Sequence, residues 1–200
     1  MAQPRILLTL PILFCLAAPA ARSLEIPRKS PELAIGMPGG KQLLLSNYRG
    51  KVVVLAFILT TCPHCQRTTG LLNQLQTELG PRGLQVLESA TEEGSAMNIA
   101  KFVTQFNTQF PVGFNTYAQC VDYLQHPPML ILHVPALVFI DRQGTIRAQY
   151  EGDDKFFAEE VQDKNIRDTI EKLLKEGSPA TKKSAPAAKK TTTTAARKPS

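Results

Sequence analysis

Residues Val52 to Cys65 read VVVLAFILTTCPHC, an unbroken apolar run from Val52 to Leu59 followed by two cysteines three positions apart. The run is short, contains β-branched residues and shows no polar alternation, which predicts a central strand buried on both faces. Beyond the cysteines, Leu71, Leu72, Leu75 and Leu79 recur at helical spacing until Gly80-Pro81 stops the pattern. The cysteine pair therefore sits where a strand hands over to a helix.

That position has chemical consequences. At the start of a helix the first cysteine faces unpaired amide hydrogens and the positive end of the helix dipole, which stabilise its thiolate; the second lies further down and is more shielded. Cys62 is thus the expected nucleophile and Cys65 the resolving thiol. Pro63 suits an early helical position, where its missing N–H costs nothing. His64, when protonated, adds a positive charge that favours the Cys62 thiolate, and a stabilised reduced form makes the disulfide a stronger oxidant.

Other uses of the pair are weaker. A zinc site needs about four ligands, and only Cys120 with one of His64, His126 or His133 could join. Haem attachment requires histidine directly after the second cysteine, where Gln66 stands. A structural bridge of this spacing closes too small a loop to stabilise much. Thiol exchange at the pair requires no metal or organic cofactor.

The surroundings extend the pattern. Leu33 to Ile35 and Leu43 to Leu45 flank Met37-Pro38-Gly39-Gly40 and predict a hairpin. Leu84 to Leu87 is a second strand candidate, Ile99, Phe102, Val103 and Phe106 mark a second helix, and Phe110 to Phe114 a short strand. The order β, α, β, α, β predicts an α/β fold whose sheet has a parallel section. ALVFID, from Ala136, and Thr145 to Tyr150 read as an antiparallel hairpin. Ile166, Ile170, Leu173 and Leu174 predict a last helix that Gly177 ends.

Composition bounds the rest. The chain has 200 residues, 43% hydrophobic and 20% charged, enough for one domain with a sizeable core. The net charge of +6 belongs to a tail: six Lys and Arg follow Gly177 with no acidic residue, which leaves the domain near neutral. Residues 178–200 have no apolar periodicity and are expected to be a disordered basic tail, capable at most of weak binding to anionic polymers. Residues 1–21 read as a signal peptide, with Arg5, the apolar run Ile6 to Leu16, and Ala18-Pro19-Ala20 as the cleavage site. Residues 22–32 read as a linker and 33–177 as the folded domain. Export implies a periplasmic or secreted protein, anchored to the membrane if the signal is uncleaved, in a compartment where disulfides persist. Cleavage leaves Cys62, Cys65 and Cys120, an odd number that excludes a dense disulfide scaffold.

The run GGKQLLLSNYRGKVVVLAFILTTCPHC resembles the opening of the thioredoxin-like domain in the TlpA and ResA group of exported thiol-disulfide oxidoreductases, and HVPALVFIDRQGTI is similar to the segment where that group carries a cis-proline facing its CxxC. The likeness covers about residues 33–175. It implies a thioredoxin-like fold, a central mixed sheet flanked by helices with an N-terminal hairpin extension. It also implies exchange with substrate proteins or small thiols, a separate redox partner, and a monomer. Pro135 would be the cis-proline and Val134 the residue whose backbone pairs with substrate. CPHC with valine before the proline also resembles the DsbA oxidases.

The departures are specific. Thioredoxins carry a buried Asp, and DsbA a Glu, six residues before the first cysteine; Ala56 stands there. The glutamate that ResA-type proteins carry three residues after the second cysteine is replaced by Thr68. Proton handling then falls to water, His64 or another group, for which Glu88 is a candidate. The segment from Tyr117 to His133 is longer than the compact pattern; its PPMLILHV is expected to fill the core, the alternative being an apolar patch beside the site. Cys120, within it, is expected to be buried and inert. Two other function classes remain. A peroxiredoxin-like thiol peroxidase would need PxxxTxxC, but Leu55 and Leu59 occupy its proline and threonine positions. A non-catalytic binding module would use the basic tail.

Overall fold

The computed structural model describes residues 25–176. The expected signal peptide and basic tail lie outside them.

The central run forms β4, Val52–Ile58, and every one of its residues is buried. Its strand neighbours differ in direction: β5, Leu84–Ala90, runs parallel to it, and β7, Ala136–Ile140, antiparallel. A parallel neighbour requires a crossover, supplied by α1, Pro63–Leu79. A second helix, α2 (Ser95–Phe106), carries the chain to the parallel β6, Val112–Phe114. β8, Thr145–Tyr150, closes the hairpin with β7. The hairpin of β2 (Ala34–Gly36) and β3 (Gln42–Leu44) adds to β6, and β1 (Arg28–Lys29) pairs with β8. One mixed sheet of eight strands results, in the order β1-β8-β7-β4-β5-β6-β2-β3. Arg28 and Lys29 were expected in a linker. Their backbone pairing with Ile146 and Thr145 makes them the sheet edge, a role that two polar side chains do not advertise.

Because side chains alternate along a strand, β4 feeds two cores. Val52, Val54, Ala56 and Ile58 face α1, α2 and the last helix, α4 (Gln162–Glu176). Val53, Leu55 and Phe57 face the N-terminal segment and α3, Tyr117–Leu124. This third helix lies in the segment that exceeds the compact pattern. A capping box starts it, with Thr116 and Gln119 exchanging hydrogen bonds.

The stretch PPMLILHV corrects an expectation. Leu132 enters one core and Val134 is half-buried against the other, whereas Met129 is 92%, Leu130 61% and Ile131 77% exposed. The loop is held from beneath instead: the buried His126 ring spans Glu151 Oε1 at 2.9 Å and the Leu130 carbonyl at 3.2 Å. With its backbone pinned at Leu130, the loop turns three apolar side chains to solvent.

Candidate active site

The strand β4 ends at Ile58, and the chain crosses four residues before α1 begins at Pro63. Thr60 is fastened by Glu92, from the loop after β5: its backbone N–H donates to Glu92 Oε1 at 3.0 Å and its hydroxyl donates to the same oxygen. Gln66 adds a hydrogen bond to the Thr60 carbonyl at 2.9 Å. The turn carrying the cysteines is therefore tied to both β5 and α1. Neither Glu92 nor Gln66 was selected from the sequence: Glu92 holds the loop from 32 residues away and leaves no local signal, and Gln66, six residues on, reads as an ordinary helix residue.

Cys62 is the N-cap of α1, in extended conformation with φ −81° and ψ 121°, and Pro63 is the first helical residue. The Cys65 N–H donates to Cys62 Sγ at 3.5 Å. This replaces the oxygen cap of an ordinary helix with a sulfur and points an unpaired amide of the first turn at it. Cys62 is partly exposed and Cys65 fully buried; both are free thiols, as is buried Cys120. Burial pushes the Cys65 thiol far above the ordinary range, with smaller contributions from Cys62 and from the charge of Glu88. His64 lies on the exposed side of the first turn.

The second motif arrives from the other side. The Val134–Pro135 peptide bond is cis, the conformation that the resemblance implies. Val134 is half-buried and packs on the same core as Cys62. Gly152 holds this segment, donating from its N–H to the His133 carbonyl at 2.9 Å. A Cβ on Gly152 would lie 2.6 Å from the Val134 carbonyl oxygen, so only glycine lets the chain after β8 pass so close. Beside the cysteine turn a cleft of about 280 Å³ is lined by Thr60, Thr61, Gln66, Lys101 and Phe102 among others.

Near enough to Cys65 for its charge to raise that thiol, the structure places Glu88. Its Cα partner on β4 is Ala56, so a carboxyl occupies the layer where Ala56 supplies only a methyl group, one strand over from the position expected to carry an acid. Alternation along β5 turns Glu88, between Val86 and Ala90, toward α1. There Thr69 Oγ1 lies 2.9 Å from Glu88 Oε1. Glu88 is completely buried, and that burial pushes its carboxyl up to about 8 against the opposing hydrogen bond from Thr69. Among the described residues no group of three or more His, Cys, Asp or Glu side chains could hold a metal ion.

Comparison with known proteins agrees with this geometry. A thiol:disulfide interchange protein of the thioredoxin family from Chlorobium tepidum superposes with a TM-score of 0.61 at 19% identity, covering 74% of this chain and 97% of that one. A thiol:disulfide interchange protein from a Bacteroides species gives 0.60 at 18%, covering 80% and 94%. The fold is thioredoxin-like. The thiol-disulfide oxidoreductase ResA of Bacillus thuringiensis subsp. konkukian is 22% identical over 130 residues, 65% of this chain and 72% of that protein. The AhpC/TSA family model matches residues 26–149, from before the sheet edge at β1 to near the end of β8, and with the larger part of its length inside that match the chain belongs to the AhpC/TSA family.

Proposed function

We propose that the chain is a thiol-disulfide oxidoreductase that works outside the cytoplasm, with Cys62 as the exchanging thiol and Cys65 as the resolving one. The observation that carries this reading is the asymmetry of the pair: Cys62 is a partly exposed sulfur at a helix N-cap, and Cys65 is fully buried one turn further on, with its amide donating to Cys62 Sγ at 3.5 Å. A thiolate, not a thiol, attacks a disulfide, so the sulfur stabilised by amide hydrogens and reachable from solvent reacts first. Pro63 fixes the start of the helix that provides those amides, and His64 stands exposed beside it, where its protonated form favours the thiolate.

In the reducing direction the Cys62 thiolate attacks a substrate disulfide, forming a mixed disulfide and releasing one substrate thiolate. Cys65, as thiolate, then attacks Cys62 Sγ. The bond between Cys62 and the substrate breaks, the second substrate thiolate leaves, and the CxxC pair holds the disulfide. The oxidising direction reverses these steps. The backbone of Val134, next to Pro135, is the surface against which the substrate segment would lie. Export is supported by the charged and apolar pattern of residues 1–21 and suits a pair that must cycle through a disulfide.

The test is a trapping experiment. Cys65→Ser should accumulate a mixed disulfide between Cys62 and a reducible protein such as insulin, and Cys62→Ser should form none. Stable adducts through Cys65 in the Cys62→Ser protein would overturn the assignment.

A further inference from the structure

Thr69 Oγ1 stands 3.0 Å from the Cys65 carbonyl oxygen and 2.9 Å from Glu88 Oε1. A hydroxyl has one hydrogen and cannot donate to both. If it donates to the carbonyl four residues back, as helical threonines do, the Thr69 oxygen faces Glu88 as an acceptor, and the carboxyl must carry a proton to complete the contact. If Glu88 is ionised, the hydroxyl turns to the carboxylate and leaves the Cys65 carbonyl. The second carboxyl oxygen, Oε2, is buried without a hydrogen-bond partner. The contact therefore has two arrangements that differ by one proton.

We propose that Glu88 gives a proton to the Cys65 sulfur when that sulfur leaves the disulfide and takes it back when Cys65 attacks, and that the Thr69 hydroxyl turns with each transfer. The inference rests on the thiol-disulfide reading. When a substrate thiolate attacks Cys62 in the oxidised pair, the Cys62–Cys65 bond breaks and its electron pair stays on a fully buried sulfur. Such a thiolate is unfavourable without solvent. The Glu88 carboxyl, held neutral by burial, passes its proton to that sulfur and becomes a carboxylate, which the Thr69 hydrogen then stabilises. In reverse, the carboxylate accepts the Cys65 proton, the thiolate attacks Cys62 Sγ, and the substrate departs as a thiolate. Among the described residues the cross-strand neighbours of Glu88 are the uncharged Ala56 on β4 and Val112 on β6, and α1 presents Cys65 and the neutral Thr69. The core residues that α2 brings, Ile99 and Phe102 with Val103 and Phe106 packed against them, are apolar.

The reduced full-length chain is mixed with dithiobis-nitrobenzoate in a stopped-flow spectrometer. One nitrothiolate is released as Cys62 forms the mixed disulfide, a second as Cys65 displaces it, and Cys65→Ser, which shows only the first, assigns the phases. In Glu88→Gln the second phase should slow on the order of 100-fold near neutral pH, the size of a lost proton transfer, with the first phase within about twofold. The wild-type second phase should rise with pH to a plateau, an inflection that Glu88→Gln should lack. Thr69→Val removes the hydrogen bond that favours the carboxylate, so its inflection should move to higher pH. A carboxylic-acid band in the infrared spectrum of the wild type near neutral pH, absent from Glu88→Gln, reports the neutral carboxyl without kinetics. If Glu88→Gln does not fold, the Thr69→Val shift decides. Superimposable second phases in folded wild type and Glu88→Gln, or an unmoved inflection in Thr69→Val, overturn the proposal. A wild-type chain that releases a single nitrothiolate overturns the oxidoreductase reading itself.

Discussion

Cys65 and Cys120 are both fully buried, and burial pushes both thiols up, Cys120 to about 12. They sit on opposite faces of the same sheet, in the two cores fed by β4. One has a second sulfur at the helix start above it and a buried carboxyl nearby; the other lies in α3 among Tyr123, Leu124 and Leu132, with Glu151 as the further cause that holds its thiol protonated. Burial alone makes a thiol unreactive. On the proposed reading, what sets Cys65 apart from Cys120 is a neighbouring sulfur that solvent can reach and a carboxyl that can exchange its proton.

The largest effects should separate the two thiols. Cys62→Ser and Cys65→Ser should abolish catalytic turnover of insulin disulfides, whereas Cys120→Ala should keep the rate within about twofold and cost about 1 kcal/mol of stability, the size expected for a small buried truncation. A loss of turnover in Cys120→Ala with the fold intact would break the comparison.

Next comes the buried acid, read through stability. The Glu88 carboxyl is raised from 4.5 to about 8 in the folded chain. Between those values the unfolded chain has released the proton that the folded chain keeps, so stability falls as pH rises, and the loss is complete above the folded value. Denaturant titrations from about pH 5 to pH 9 should show the wild type losing a few kcal/mol relative to Glu88→Gln across this window. Parallel curves for the two proteins would mean that Glu88 titrates normally.

A smaller contrast lies within one loop. Leu132→Ala should cost about 2 kcal/mol, because its side chain is removed from the core beside Cys120. Replacing Met129, Leu130 and Ile131 together by serine should change stability by no more than about 0.5 kcal/mol each, as expected for exposed positions. The midpoint and slope of urea unfolding measure both. The smallest effect belongs to His64, whose side chain is exposed. Where the ring is protonated, its loss in His64→Leu disfavours the thiolate and so the reduced form, and the reduction potential should fall by at most about 30 mV, equivalent to about 1.4 kcal/mol, in a glutathione titration.

The sequence by itself determined the strand Val52–Ile58, the helix that follows it, the placement of Cys62 and Cys65 at their junction, and the hairpin of β7 and β8, because each rests on local periodicity or on a stop signal such as Gly80-Pro81. Side-chain burial was legible where one residue type could do only one thing, as with Cys120 and the apolar faces of α2 and α4. Tertiary structure decided what depends on two segments meeting. Arg28 and Lys29 became a strand because the exposed edge of β8 offered backbone partners to any chain that passed it. Met129, Leu130 and Ile131 stayed outside because His126 and Glu151 pin the loop from below, an arrangement joining residues 25 positions apart. Glu88 was readable as a candidate, but its role depended on which face of β5 met α1, on Ala56 leaving space beside it, and on Thr69 standing opposite. A one-residue slip in the pairing of β5 would turn the same carboxyl to the other face.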